Sequence, residues 1–217
     1  MKKILLVCVF ASLMIALFSC TQQVQKIPQK KKSEADLSKL SQATFASGCF
    51  WCVEGVYESV MGVHEVVSGY AGGKEPNPTY KQVSAHTTDH AETVQVYYDS
   101  SVVSYSTLLK VYFASQDPTQ VNGQGPDIGA SYRSIIFYRT PEERIEAEKY
   151  ISEIQKKYTE PIAAQLVPFE KFWQAEDYHQ EYIQNNPDVP YVKMESIPRI
   201  KRFQKQLPEL IKPDHKF

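Results

Sequence analysis

The sequence predicts an α/β protein in two layers, one sheet packed with helices. Three observations lead there. Strand-like and helix-like stretches alternate along the chain from Ala43 onward. Hydrophobic residues make up 42% of the 217-residue chain and charged residues 23%, a balance that builds a packed core and argues against wholesale disorder. Of the four cysteines, only Cys49 and Cys52 fall in the alternating region, so a fold stapled by several disulfides is excluded. The formal net charge of −1 gives no electrostatic case for nucleic acid. No feature demands a partner subunit, and a monomer is expected.

The first residues read as a leader. Met1-Lys2-Lys3 is a positive start, and Ile4 to Phe18 is an uncharged apolar run, short for a membrane span. Ser19-Cys20 follows at its end and resembles a bacterial lipobox. Residues 1–19 are therefore expected to be a signal peptide, with Cys20 the lipidated first residue of the mature chain. Acyl chains there tether a protein to a membrane without spanning it. The expected location is a bacterial cell envelope, on its periplasmic or outer surface. Residues 20–42 are polar, include Lys30-Lys31-Lys32, and read as a flexible linker. The folded domain is expected over 43–200, with a tail over 201–217.

Within the domain, Ala43 to Ser47 alternates around Phe45 and predicts a strand, which Gly48 breaks. From Cys49, apolar residues recur at helical spacing (Trp51, Val53, Val56, Tyr57, Val60, Met61), and Gly62 stops the helix. Val63 to Tyr70 reads as a strand, closed by Ala71-Gly72-Gly73. After the Pro76-Asn77-Pro78 turn, Thr79 to Ala85 reads as a short helix with Thr79 as N-cap. Ala91 to Tyr98 alternates as a strand, and Ser104 to Ser115 is helical. Asp117 to Ser131 reads as a long loop, a place where function often sits. Tyr132 to Tyr138 is a strand, and Pro141 to Tyr158 a helix with Pro in its first turn. Ile162 to Val167 reads as the last strand, Phe169 to Trp173 as an aromatic loop, and Glu176 to Asn185 as a short helix. The Lys- and Pro-rich tail from Pro187 is expected to wrap the surface.

Cys49 thus sits at a strand-to-helix junction. Unpaired N–H groups and the positive end of the helix dipole favour a thiolate there, and a thiolate is the nucleophile. Phe50 and Trp51 put two aromatic faces beside the sulfur. Cys52 lies one turn on. A zinc half-site needs a second ligand pair, and no cysteine follows residue 52. Two inert core thiols are the other bland reading. Elsewhere, Glu92, Tyr80, Asp127 and Tyr132 are polar residues in apolar settings, each with an ordinary explanation when taken singly.

Taken together, Gly48-Cys49-Phe50-Trp51, Val67-Ser68-Gly69-Tyr70-Ala71-Gly72-Gly73, Asn77-Pro78-Thr79-Tyr80, His90-Ala91-Glu92, Tyr132-Arg133-Ser134 and Ala175-Glu176-Asp177-Tyr178-His179-Gln180 resemble the A-type peptide methionine sulfoxide reductases, in the family's order. The resemblance implies an α+β sandwich with a mixed sheet built from ferredoxin-like βαβ units. It implies that Cys49 attacks the sulfoxide sulfur of the S epimer, free or in proteins. Phe50 and Trp51 would box the ε-methyl. Glu92 would protonate the oxygen, a role that needs a carboxyl whose pKa burial has raised. Tyr80 and Tyr132 would hydrogen-bond the oxygen, and Asp127 would orient the pocket. Cys49 would become a sulfenic acid, which Cys52 would resolve as an intramolecular disulfide. A thioredoxin-like partner would reduce that bond, with no cofactor or metal. Departures from the family pattern fall at Ala85-His86, at Asp89, and at Ser131, which stands for a common Gln. A thiol–disulfide oxidoreductase shares the Cys-x-x-Cys spacing but leaves Glu92 and the two tyrosines unexplained.

Overall fold

A computed structural model of the chain describes residues 36–215. The proposed signal peptide, Cys20 and most of the linker lie outside these described residues. A six-stranded sheet in the order β7-β6-β1-β3-β2-β8 carries the fold. Strand β1 (Ser41–Ala46) pairs antiparallel with both β3 (Ala91–Tyr98) and β6 (Ile135–Tyr138). Strand β3 pairs antiparallel with β2 (Val63–Ala71) on its other side. So β1 and β2 run parallel with β3 between them, bridged by α1 (Phe50–Glu58). Likewise β3 and β6 run parallel around β1, bridged by α3 (Tyr105–Ala114). These are two interleaved split βαβ units, the ferredoxin-like arrangement that the resemblance implied.

The side-chain period of the strands separates two apolar faces. Phe45, Val94, Val96 and Ile136 join α1 and α3 in the main core, where Phe45 stacks on Tyr57 at 5.2 Å between ring centroids. Ala46, Ala71, Ala91, Ile135 and Phe137 form a smaller cluster with Val167 and Phe169 packed against it. Predicted starts hold where a cap decides them. Ser104 accepts from Thr107 N–H at the start of α3, and Thr140 caps α4 (Pro141–Gln155) through Glu143 N–H. At α2 (Tyr80–Ser84), Gln82 Oε1 accepts from both the N–H and the hydroxyl of Thr79.

Several segments differ from the sequence reading. Helix α1 ends at Glu58, short of Met61, because the chain's end captures the next residues: Val60 bridges Ile211, and Met61 N–H donates to Leu210 O. The long loop folds back as a hairpin, β4 (Gly123–Gln124) with β5 (Asp127–Ile128), followed by a 3₁₀ turn, Ala130–Tyr132. The strand β7 (Gln165–Pro168) is not the last one. The aromatic loop supplies β8 (Phe172–Gln174), which pairs with β2 at the sheet edge.

The tail does not wrap the surface. A π-helical turn, Val192–Ser196, runs into α6 (Ile197–Gln206), and Val192, Ser196, Ile200 and Phe203 are fully buried beneath α1 and α3. The expected short helix near residue 180 is also divided. A 3₁₀ turn, Asp177–His179, and α5 (Tyr182–Asn185) are separated by Glu181, whose φ is +50°.

Candidate active site

The site is built on the N-terminus of α1. Gly48 turns the chain out of β1 with φ +83°, and a Cβ there would lie 2.5 Å from Gln124 Cβ, so both conformation and space call for glycine. Cys49 is the N-cap, with an extended backbone (φ −54°, ψ 123°), and stands outside the helix proper. The first helical N–H, of Phe50, donates to Glu92 Oε2 at 3.0 Å. Glu92 enters from β3, where it pairs with Tyr70 of β2. It is 2% exposed. Burial pushes its carboxyl up to about 8 against the opposing Phe50 N–H, and the charges of Asp127 and Cys52 push the same way as burial. The resemblance called for such a proton-holding carboxyl.

The two thiols are free and buried, and they interact directly. Their acidities are the reverse of the dipole expectation. Burial pushes the Cys49 thiol well up, aided by Cys52 and Glu92. Burial thus outweighs the helix end, whose first N–H is given to Glu92. Cys52 is lowered to about 6 by its hydrogen bond with Cys49, with Arg199, Ser196 and Tyr191 helping against burial. The pair thus sheds one proton readily and holds the second tightly.

Around the sulfurs stands an aromatic cup. Phe50 stacks with Tyr80 at 6.3 Å and lies 4.9 Å from the His179 ring. Trp51 stacks face to face on Tyr182 at 3.6 Å and donates from Nε1 to His179 Nδ1 at 3.1 Å. That bond makes Nδ1 the acceptor of a neutral imidazole, in keeping with burial, which lowers the pKa of His179. Glu176 holds the cup in place. Its Oε1 accepts from Tyr80 N–H at 2.9 Å and its Oε2 from Tyr70 O–H at 2.8 Å. The phenols of Tyr80 and Tyr132 face the same centre. Burial, then Glu92, raises both, Tyr80 to about 12, and Cys49 acts on each. Asp127, on β5, accepts from Tyr191 O–H at 2.6 Å, and that hydroxyl lies 3.9 Å from Cys52 Sγ.

The structure therefore gathers all the residues singled out from the sequence: Cys49, Cys52, Phe50, Trp51, Tyr80, Glu92, Asp127 and Tyr132. It adds residues that the sequence reading left without a role. Glu176 and His179 stood inside a quoted motif. Tyr191, Ser196 and Arg199 stood in the supposed tail. Ser196 Oγ is 3.2 Å from Cys52 Sγ. Arg199, 7% exposed, donates to Ser115 O at 2.7 Å and to Ser47 O at 2.9 Å. The only advance signal was apolar spacing, Val192, Ile200 and Phe203, masked by Pro198 and by the phase shift of the π turn.

Comparison with known proteins agrees with this geometry. A family model described as peptide methionine sulfoxide reductase matches residues 41–210. The peptide methionine sulfoxide reductase MsrA of Haloquadratum walsbyi is 48% identical over 167 residues, covering 77% of this chain and 96% of that protein. The crystal structure of Mxr1 from Saccharomyces cerevisiae in reduced form superposes with a TM-score of 0.66 at 36% identity, covering 70% of this chain and 88% of that one. The structure of Mxr1 in complex with Trx2 gives a TM-score of 0.50 at 27% identity, covering 70% and 91%. On the match over residues 41–210 and the shared fold, the chain belongs to the peptide methionine sulfoxide reductase family.

Proposed function

We propose that this enzyme reduces the S epimer of methionine sulfoxide, free or in proteins, with Cys49 as nucleophile and Glu92 as acid. One observation carries the reading. A buried carboxyl that keeps its proton near neutral pH is fixed to the same helix N-terminus that presents Cys49. Glu92 Oε2 accepts from the Phe50 amide, so its proton belongs on Oε1.

The steps balance as follows. The Cys49 sulfur, its proton taken up by the neighbouring Cys52 thiolate, attacks the sulfoxide sulfur. Glu92 gives its proton to the oxygen, whose growing charge Tyr80 and Tyr132 stabilise. Oxygen passes to Cys49 as a sulfenic acid, and the thioether leaves. Phe50 and Trp51 hold the ε-methyl meanwhile. Cys52 then attacks Cys49, water departs, and a disulfide remains. Cys49, as N-cap, already lies off the helical lattice, so its own backbone supplies most of the approach that an i,i+3 pair needs. Asp127 orients Tyr191 beside Cys52. A thioredoxin-like dithiol, the kind of partner seen with Mxr1, then restores the thiols.

A Cys52→Ser variant, which lacks the Cys52 thiolate as proton acceptor, should form one methionine per enzyme, more slowly than the wild type, and stop. No methionine from it would favour the thiol–disulfide oxidoreductase reading. In the wild type, single-turnover reduction should fall above pH about 8 as Glu92 ionises, and Glu92→Gln should lose roughly 10²-fold or more in rate.

The leader belongs to the same proposal. The Met1-Lys2-Lys3 start, the apolar run and Ser19-Cys20 support lipidation at Cys20 and an envelope location. Among the described residues no helix is long and apolar enough to cross a membrane. Cys20→Ala should move the protein from the membrane fraction to the soluble one, and continued sedimentation with membranes would count against the anchor.

A further inference from the structure

A cavity beside the aromatic cup reaches Cys52, with Tyr191, which stands edge-on to Trp51, at the border between the two. It has a volume of about 780 Å³, and Cys52, Asp127, Tyr191, Arg199 and Arg202 are among its lining residues. Neither Cys49 nor any of Phe50, Trp51, Tyr80, Glu92 and Tyr132 lines it. Cys52 is thus the one active-site sulfur on this wall, with Arg199 and Ser196 beside it.

Resting on the reaction proposed above, we infer that this cavity is the docking site for the reducing partner, and that it receives the cysteine-bearing loop of a dithiol protein. Attack on a disulfide runs along the S–S axis, from the side opposite the departing sulfur. The cavity meets Cys52 and not Cys49, so an incoming thiolate bonds to Cys52 Sγ, and Cys49 departs as a thiolate and takes up a proton. The partner's second thiol, once deprotonated, attacks the partner's own sulfur. Cys52 leaves as a thiolate, and the partner leaves as a disulfide. Two electrons and one proton pass from the partner's thiolate–thiol pair to the enzyme, which is left with a Cys49 thiol and a Cys52 thiolate.

Three features fit this occupant. The volume suits a loop of a few residues and is too small for a domain. Exposed Arg202 and Glu160 give the rim a polar character suited to a transient partner. The departing Cys52 thiolate is received by groups that hold charge: the guanidinium of Arg199, fixed by Ser115 O and Ser47 O, and the Ser196 hydroxyl. The thiol is acidic, lowered to about 6 by its hydrogen bond with Cys49 first and then by Arg199 and Ser196 against burial. Two doors to one disulfide mean that sulfoxide need not vacate the cup before the reductant enters.

Kinetics test this on the full mature chain. Methionine sulfoxide and reduced thioredoxin are varied together. Separate faces predict that high sulfoxide does not compete with thioredoxin. Competitive inhibition by sulfoxide against thioredoxin would overturn the proposal by placing both in one cavity. Independently, Arg202→Glu and Tyr158→Ala, both at the mouth of the cavity, should raise KM for thioredoxin about tenfold. Turnover supported by dithiothreitol should hold. An unchanged KM for thioredoxin in both variants would overturn the proposal, and so would an equal loss with dithiothreitol, which would assign the cavity to small thiols. Failure of the reduced wild-type enzyme to form methionine in a single turnover would instead defeat the underlying reaction.

Discussion

Two glutamates show how one residue type is set to different tasks. Glu92, the proposed acid, keeps its buried proton beside Cys49. Glu54, on α1, is 1% exposed and raised to about 8, by burial first and then by Glu58. Its Oε1 accepts from Glu181 N–H at 3.0 Å, the residue whose positive φ separates the two turns after β8. Glu54 serves the fold, bonding the backbone of Glu181 and Tyr182 where the chain turns into the cup. Both carboxyls bind a proton more tightly in the folded state than in the unfolded one. Their contribution to stability is complete below pH about 4.5 and is lost as pH climbs through about 8. Glu54→Gln should therefore flatten the fall in melting temperature between pH 5 and 9, with a gain on the order of 3 kcal/mol at the alkaline end. A thermal melt series with the same slope in both proteins would argue against it. The departures from the family pattern also meet at this scale. His86 Nδ1 and Ser131 Oγ are 3.1 Å apart, and the His86 ring stands edge-on to Tyr132. Two unusual residues thus meet beside the Tyr132 phenol, and neither is intelligible without the other.

At the scale of elements, the edge strand β8 links sheet and cup. It lies on β2 opposite Gly69, Tyr70 and Ala71, and the chain then delivers Glu176 and His179. The pairing depends on Gly69, where a Cβ would collide with the Phe172 ring and the Trp173 carbonyl oxygen. Gly69→Ala should cost roughly 2 kcal/mol or more through lost pairing. It should also slow sulfoxide reduction by loosening Tyr80. Wild-type melting temperature and rate together would refute the link. The sequence read most elements correctly because their signals are local: a glycine before Cys49, a cap at Thr79, strict alternation over β3. It missed β8 because three residues carry little periodicity, and the strand exists only because Gly69 leaves room for it. It placed the thiolate at Cys49 because helix position is legible, whereas the burial of that sulfur against Cys52 is a tertiary fact.

Across the whole molecule, the division between legible and illegible follows sequence distance. The cup residues sit in short motifs that could be recognised one at a time. Tyr191, Ser196 and Arg199 act on Cys52 from more than a hundred residues away, and a Lys-rich composition concealed them. Their segment is part of the core, since Ile200 and Phe203 are fully buried and Lys212 Nζ donates to Glu58 O at 2.7 Å. Removal of residues 191–217 should abolish cooperative unfolding, because burial of Phe203 alone is worth about 3–5 kcal/mol. A truncated chain with a sharp wild-type melt would show that the rest folds alone.

On the docking inferred above, the carboxy-terminal helix is equipment for regeneration, while Glu92 and the aromatic cup equip oxygen removal. Damage can therefore strike one half-cycle and spare the other. A lesion near Arg199 that leaves the chain folded would yield a single-use catalyst, which repairs one lesion and then waits, spent, as its Cys49–Cys52 disulfide.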